Sequence, residues 1–164
     1  MNELYTKYMG LDLRSPLIAG SCNLTDNVDN LKEIEKAGAG AVVLKSVFEE
    51  EIYLEYASEF SKLGPMEDNL EFLDYYDVEI RQENLKRYLD LITAAKATLQ
   101  IPVIASINCV TSQEWSFFAR KIEAAGADAL ELNLFILPSN LRQSSNDNEN
   151  TYFEIIQRVT SQIT

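Results

Sequence analysis

Lys45 and Asn133 are the residues whose type and spacing most directly offer chemistry. Each closes a short, mainly apolar run, Ala41-Val42-Val43-Leu44 before the lysine and Ala129-Leu130-Glu131-Leu132 before the asparagine. Each run follows an amphipathic stretch and an Ala-Gly-Ala turn, at Ala37-Gly38-Ala39 and again at Ala125-Gly126-Ala127, with one constant offset between the two copies. A repeated helix, glycine stop and buried strand is the sequence pattern of stacked βα units. In parallel α/β folds, ligands sit at the carboxyl ends of the strands. A lysine there offers a fixed cation, and an asparagine offers an amide donor and a carbonyl acceptor. Small residues end an earlier apolar run at Ala19-Gly20-Ser21, where a flat ligand can approach the backbone closely.

Composition narrows the reaction classes. The 164 residues include no histidine, which excludes Ser-His-Asp and Cys-His nucleophilic sites and the usual zinc sets. Cys22 and Cys109 stand apart, without CxxC spacing or neighbouring ligands, and read as reduced thiols with no metal role. With 14 basic against 26 acidic residues, the net charge of −12 argues against nucleic-acid or anionic-membrane partners. The amino terminus lacks a signal pattern and no apolar run approaches membrane-spanning length, so a soluble, cytoplasmic protein acting on a small molecule is expected.

The elements that must position these residues follow in order. Residues 3–13 alternate around Gly10 and predict a short β-hairpin. Leu17-Ile18-Ala19-Gly20 predicts the first buried strand, and Asn23 to Asp26 supplies cap chemistry for a helix over roughly residues 27–37. Strand two, Ala41–Leu44, is apolar throughout, as in a sheet covered on both faces. Residues 47–80 then break the rhythm with an acidic, aromatic-rich insert, read as a lid on the substrate side. A helix from Glu83 to Thr98 leads to strand three, Val103–Ile107, closing on Asn108. A further helix carries Trp115, Phe118, Ile122 and Ala125 on one face and leads to strand four. Residues 135–150 read as a polar loop, followed by a last amphipathic helix from Thr151. The reading is one α/β domain over residues 1–164, with four βα units behind a hairpin.

The four strand endings, with Ser15-Pro16-Leu17-Ile18 before the first and Ile101-Pro102-Val103-Ile104-Ala105-Ser106-Ile107 at the third, resemble the amino-terminal half of class 1 dihydroorotate dehydrogenases. The resemblance implies a flavin-binding TIM (β/α)8 barrel of which only the first four units are present, a half-barrel. A complete barrel usually needs about 250 residues. It implies FMN as cofactor, hydride transfer from a small ring or carboxylate substrate to the flavin, and a place in pyrimidine biosynthesis. Ala19, Gly20 and Ser21 would then pack against the flavin ring. Lys45 would stabilise negative charge on the reduced flavin, Ser46 would add a hydrogen bond, and Asn108 and Asn133 would hold polar atoms of flavin or substrate. Lys45 and Asn133 are the catalytic candidates.

Two departures qualify that picture. The family continues strand four as Asn-Leu-Ser-Cys-Pro-Asn, its cysteine (serine in the other class) being the catalytic base. Here Phe135 and Ile136 fall in the places of the serine and cysteine, and neither accepts a proton. That argues against authentic dihydroorotate oxidation. The family's phosphate-binding loops after strands seven and eight also have no counterpart, which implies either a fragment of a longer protein with its carboxyl-terminal half missing or a homodimer that closes the barrel. The alternatives are a truncated, inactive half-barrel and a flavin-free (β/α)8 lyase or aldolase-type enzyme.

Overall fold

The computed structural model describes residues 4–48, 85–109, 112–135 and 142–163, with the side chains of 112–114 excepted. Two strands, β1 (Thr6–Tyr8) and β2 (Leu11–Leu13), pair antiparallel around Met9-Gly10, as the alternation predicts. The main sheet contains β3 (Ile18–Ala19), β4 (Ala41–Val43), β5 (Val47–Phe48), β6 (Val103–Asn108) and β7 (Ala129–Leu132). Every pairing within it is parallel. β4 and β5 both lie on one edge of β6, and β7 on its other edge, so the strands run across the sheet in chain order. Among the described residues the helices are α1 (Val28–Lys36), α2 (residues 85–98), α3 (Ser112–Ala124) and α4 (Ser145–Thr160). The result is a mixed α/β fold with a parallel sheet.

The Ala-Gly-Ala turns do the work expected of them. Gly38 and Gly126 follow α1 and α3 with φ of 100° and 94°, the left-handed conformation that ends a helix without a Cβ penalty. Carboxylates then clamp the strand entrances. Glu35 Oε1 accepts from the backbone N–H groups of Gln100 (2.8 Å) and Ile101 (3.1 Å) ahead of β6. Asp128 Oδ2 accepts from Val103 N (2.7 Å) while Lys96 Nζ bridges both its oxygens.

Alternation along the strands divides the core in two. Val42, Leu44, Val103, Ala105 and Ile107 face the helices and pack with Leu31, Tyr88, Ile92, Trp115 and Ile122. Ala41, Val43 and Ile104 face the other way and pack with Leu13 from the hairpin.

Three sequence expectations change. The cap of α1 is Asn27, whose side chain accepts from Asn30 N (2.9 Å), while Asn23–Thr25 forms a separate 3-10 turn. The final helix begins at Ser145, six residues ahead of the expected Thr151 and inside the stretch read as a loop. Its opening turns are polar all round and carry no apolar period. What starts them is a capping box in which Ser144 and Asp147 satisfy each other's backbone N–H groups (3.2 and 2.9 Å). A strand that the pattern did not show, β5, follows the end of β4: pairing to β6 lapses at Lys45-Ser46 and resumes at Val47. Of the expected lid over 47–80, Val47 and Phe48 belong to β5 and the rest lies outside the described residues.

Candidate functional site at the strand ends

The face turned away from the helices changes character along the strands. Near the amino ends it is an apolar floor of Leu13, Ala41, Val43 and Ile104. Two residues further along β6 and β7 come Ser106 and Glu131, which are register partners, and then Asn108 and Asn133. The period of two thus carries polar side chains to the carboxyl ends of strands whose lower halves are sealed.

The interruption between β4 and β5 shapes the middle of this layer. Leu44 N donates to Ile104 O (2.9 Å), but the ladder does not continue to Ser106. The Tyr88 hydroxyl from α2 takes that place. It accepts from Ser106 N (2.8 Å) and donates to Ser106 O (3.0 Å). Buried backbone groups need partners, and a phenol offers one donor and one acceptor in the space of one strand residue. Burial pushes the Tyr88 phenol well above its ordinary range, with the Glu131 charge adding to the shift, so it stays protonated in this role.

The break also frees Ser46 for side-chain contacts. Ser46 N donates to Ser21 Oγ (2.8 Å), and the two hydroxyls lie 3.0 Å apart. Ser46 Oγ is 2.7 Å from Ser106 Oγ, which donates to Glu131 Oε1 at 2.7 Å. One residue from each position across the sheet therefore joins a single row, Ser21, Ser46, Ser106 and Glu131. Ser106 is fully buried and Ser46 nearly so, whereas Ser21 and Glu131 at the two ends are exposed.

The other candidates surround this row. Lys45 is half-buried, and its backbone N–H donates to the carbonyl of buried Thr25 (3.1 Å). Thr25 is held in turn by Cys22, through Oγ1 contacts of 3.1 and 2.9 Å to the Cys22 N–H and carbonyl. Gly20 is exposed, with open space on its flank where a Cβ would point. Ala19 packs against the helix-side core, so only its backbone is offered at the strand end. Asn108 Nδ2 donates to Asn133 O (2.7 Å), tying the last two strand ends together. Phe135 is 75% exposed, and Ile136 to Asn140 lie outside the described residues.

The structure thus joins Ser21 to Ser46 and Asn108 to Asn133, with Lys45 adjacent to Ser46 in the break. Sequence reasoning missed Ser106, Glu131 and Tyr88. The signal for the first two was a polar residue two positions before each strand-end asparagine, at matching places in β6 and β7. Among the described residues, no helix is long and apolar enough to cross a membrane.

No protein-family model matches the chain. A catalytic subunit of dihydroorotate dehydrogenase B (NAD(+)) from Thermoplasma volcanium is 26% identical over 141 residues, covering 82% of this chain and 42% of that protein. The corresponding subunit from Thermoplasma acidophilum is 29% identical over 134 residues, with the same coverage of 82% and 42%. The chain spans about two-fifths of the length of these curated relatives. Over most of its length, then, the chain is similar to the amino-terminal half of dihydroorotate dehydrogenase B catalytic subunits.

Proposed function

We propose that this chain is the flavin-ring half of an FMN-dependent oxidoreductase of the dihydroorotate dehydrogenase-like kind, built as the first four units of a (β/α)8 barrel. The observation that carries the reading is a single face of a parallel sheet, sealed at its amino ends and polar at its carboxyl ends. Such a face is where barrel enzymes hold their ligands. The residues fit a flavin ring. Gly20 leaves an open, side-chain-free flank for a flat group, and the half-buried Lys45 directly precedes Ser46, whose hydroxyl lies 3.0 Å from that of Ser21.

In this reading the backbone of Ala19 and Gly20 forms the surface against which the ring lies, with the exposed Ser21 at the ring's edge. The flavin supplies the hydride-accepting centre. Lys45 lowers the energy of negative charge that develops on reduction, because a fixed cation in a partly desolvated site acts without reorganising. Ser46 contributes through Ser21, whose hydroxyl it orients. Asn133 offers its side chain to substrate or ring, and Asn108 fixes the Asn133 backbone. The substrate is a small ring or carboxylate compound. Ile136, in the place of the family's base cysteine, argues that it is not dihydroorotate. A second copy or a carboxyl-terminal half completes the barrel and holds the phosphate. The compartment is the cytoplasm.

Titrating the purified chain with FMN, followed by quenching of flavin fluorescence, tests this. Saturable binding is expected, weakened about ten- to a hundredfold in Lys45→Ala, the loss that follows from removing one charged hydrogen bond. A folded chain that leaves flavin fluorescence unchanged would overturn the reading.

A further inference from the structure

The row of hydroxyls has one allowed proton arrangement. Ser106 Oγ gives its single proton to Glu131 Oε1, so in its contact with Ser46 it accepts. Ser46 Oγ has then spent its proton on Ser106, so Ser21 Oγ must donate to Ser46. Ser21 Oγ also accepts from Ser46 N, which leaves one lone pair on an exposed hydroxyl at the end of β3. The polarity runs one way, from Ser21 through two buried hydroxyls to an exposed carboxylate.

We propose that Ser21, Ser46, Ser106 and Glu131 form a proton wire across the carboxyl ends of the parallel strands, carrying a proton from a ligand at Ser21 to Glu131. The identity of the ligand rests on the function proposed above: a small carbon acid that gives up a proton at one carbon and a hydride at its neighbour. The C–H bond breaks toward Ser21 Oγ as the Ser21 proton moves to Ser46. The Ser46 proton moves to Ser106, and the Ser106 proton becomes the O–H of Glu131. With a flavin bound as hydride acceptor, the electron pair of that C–H bond would form the new C=C bond as the neighbouring carbon gave up its hydride. Glu131, being exposed, returns its proton to water. The wire supplies the proton acceptor that Phe135 and Ile136 cannot, and it does so with residues outside the family's base position.

The other groups facing the wire do not compete for the proton. Tyr88 contacts Ser106 through its backbone alone and stays protonated, and Lys45 is a cation in the break beside Ser46. The test needs no flavin. If the wire is continuous, protonating Glu131 reverses it, and the change reaches the Ser46 N–H, whose acceptor Ser21 Oγ changes its own bonding. In 15N-labelled full chain, the Ser46 amide shift is expected to follow pH with the midpoint of the Glu131 side-chain carboxyl carbon. Glu131→Gln, which keeps an acceptor for Ser106, should abolish the Ser46 response. Ser106→Ala should uncouple it while Glu131 still titrates, and Ser106→Thr should restore it. Ser46→Ala cuts another link while keeping the reporting N–H, and guards against misfolding of Ser106→Ala. A Ser46 amide that ignores Glu131 in the wild type, or still follows it in Ser106→Ala or Ser46→Ala, would overturn the wire. Failure of FMN to bind would sink the flavin reading and leave this result standing.

Discussion

The two faces of the sheet are built from alternate residues of the same strands, yet they serve different ends. On the helix side, Val42, Leu44, Val103, Ala105 and Ile107 are buried among helix side chains along their whole length. On the other side, burial covers only the lower half, through Leu13, Ala41, Val43 and Ile104. Above that floor stand Ser106, Glu131, Asn108 and Asn133. Apolar area removed from water stabilises the fold in proportion to its extent, so the helix side supplies most of the stability. The upper half of the other side gives up burial for hydrogen-bonding groups that are aligned but open at the ends. A substitution on one face should therefore change folding, and one on the other should change chemistry.

Adjacent residues of β6 provide the sharpest contrast. Ile107→Ala, on the helix side and fully buried, should cost roughly 2–5 kcal/mol, read as a lower urea midpoint at unchanged slope. Asn108→Ala, one residue on, should cost about 1 kcal/mol from one lost hydrogen bond. Similar losses for the two would break the comparison.

Tyr88 reaches from the helix-side core into the sheet at the Ser106 backbone, so its variant tests the boundary. Tyr88→Phe leaves the Ser106 N–H and carbonyl without their described partner and should cost about 1–3 kcal/mol. It also has a pH signature. Because the folded phenol is held above its ordinary range, its contribution is fully present below about pH 10 and is lost as pH rises through the folded value. The wild type should lose stability on alkaline titration by a component that Tyr88→Phe lacks.

Ser144→Ala should cost about 1 kcal/mol, by removing the N-cap of α4, and circular dichroism should show fraying of that helix. Ser144 holds the Asp147 carboxyl below its usual range. That part of the cap is present at neutral pH and disappears as pH falls through the depressed value. The smallest stability change belongs to Lys45→Ala, within about 0.5 kcal/mol, although it should weaken flavin binding more than any other substitution named here.

Much of the fold was legible because βα units repeat a short grammar. Gly38 and Gly126 mark helix ends, the apolar runs at 41–44 and 103–107 mark buried strands, and the mainly apolar run at 129–132 marks a half-buried one. The placement of Lys45, Ser46, Asn108 and Asn133 near strand ends followed from the same pattern. What stayed hidden depended on contacts distant in sequence. The break at Lys45-Ser46 exists because a phenol from α2 replaces a strand partner, and nothing near residue 45 announces it. Ser106 lies inside an apolar run, and its role appears only when β4, β5, β6 and β7 lie side by side. Helix α4 was read six residues short because its first turns are specified by capping chemistry rather than by hydrophobic period.

Whether the strand ends hold a flavin ring is decided by an amide chemical-shift map of the chain titrated with lumiflavin, the ring without its ribityl phosphate. Perturbations are expected only at the strand ends, at Gly20, Ser21, Lys45, Ser46, Asn108 and Asn133, with α2 and α3 unmoved. Perturbations on the helix side, or none at saturating ring, would contradict the flavin reading.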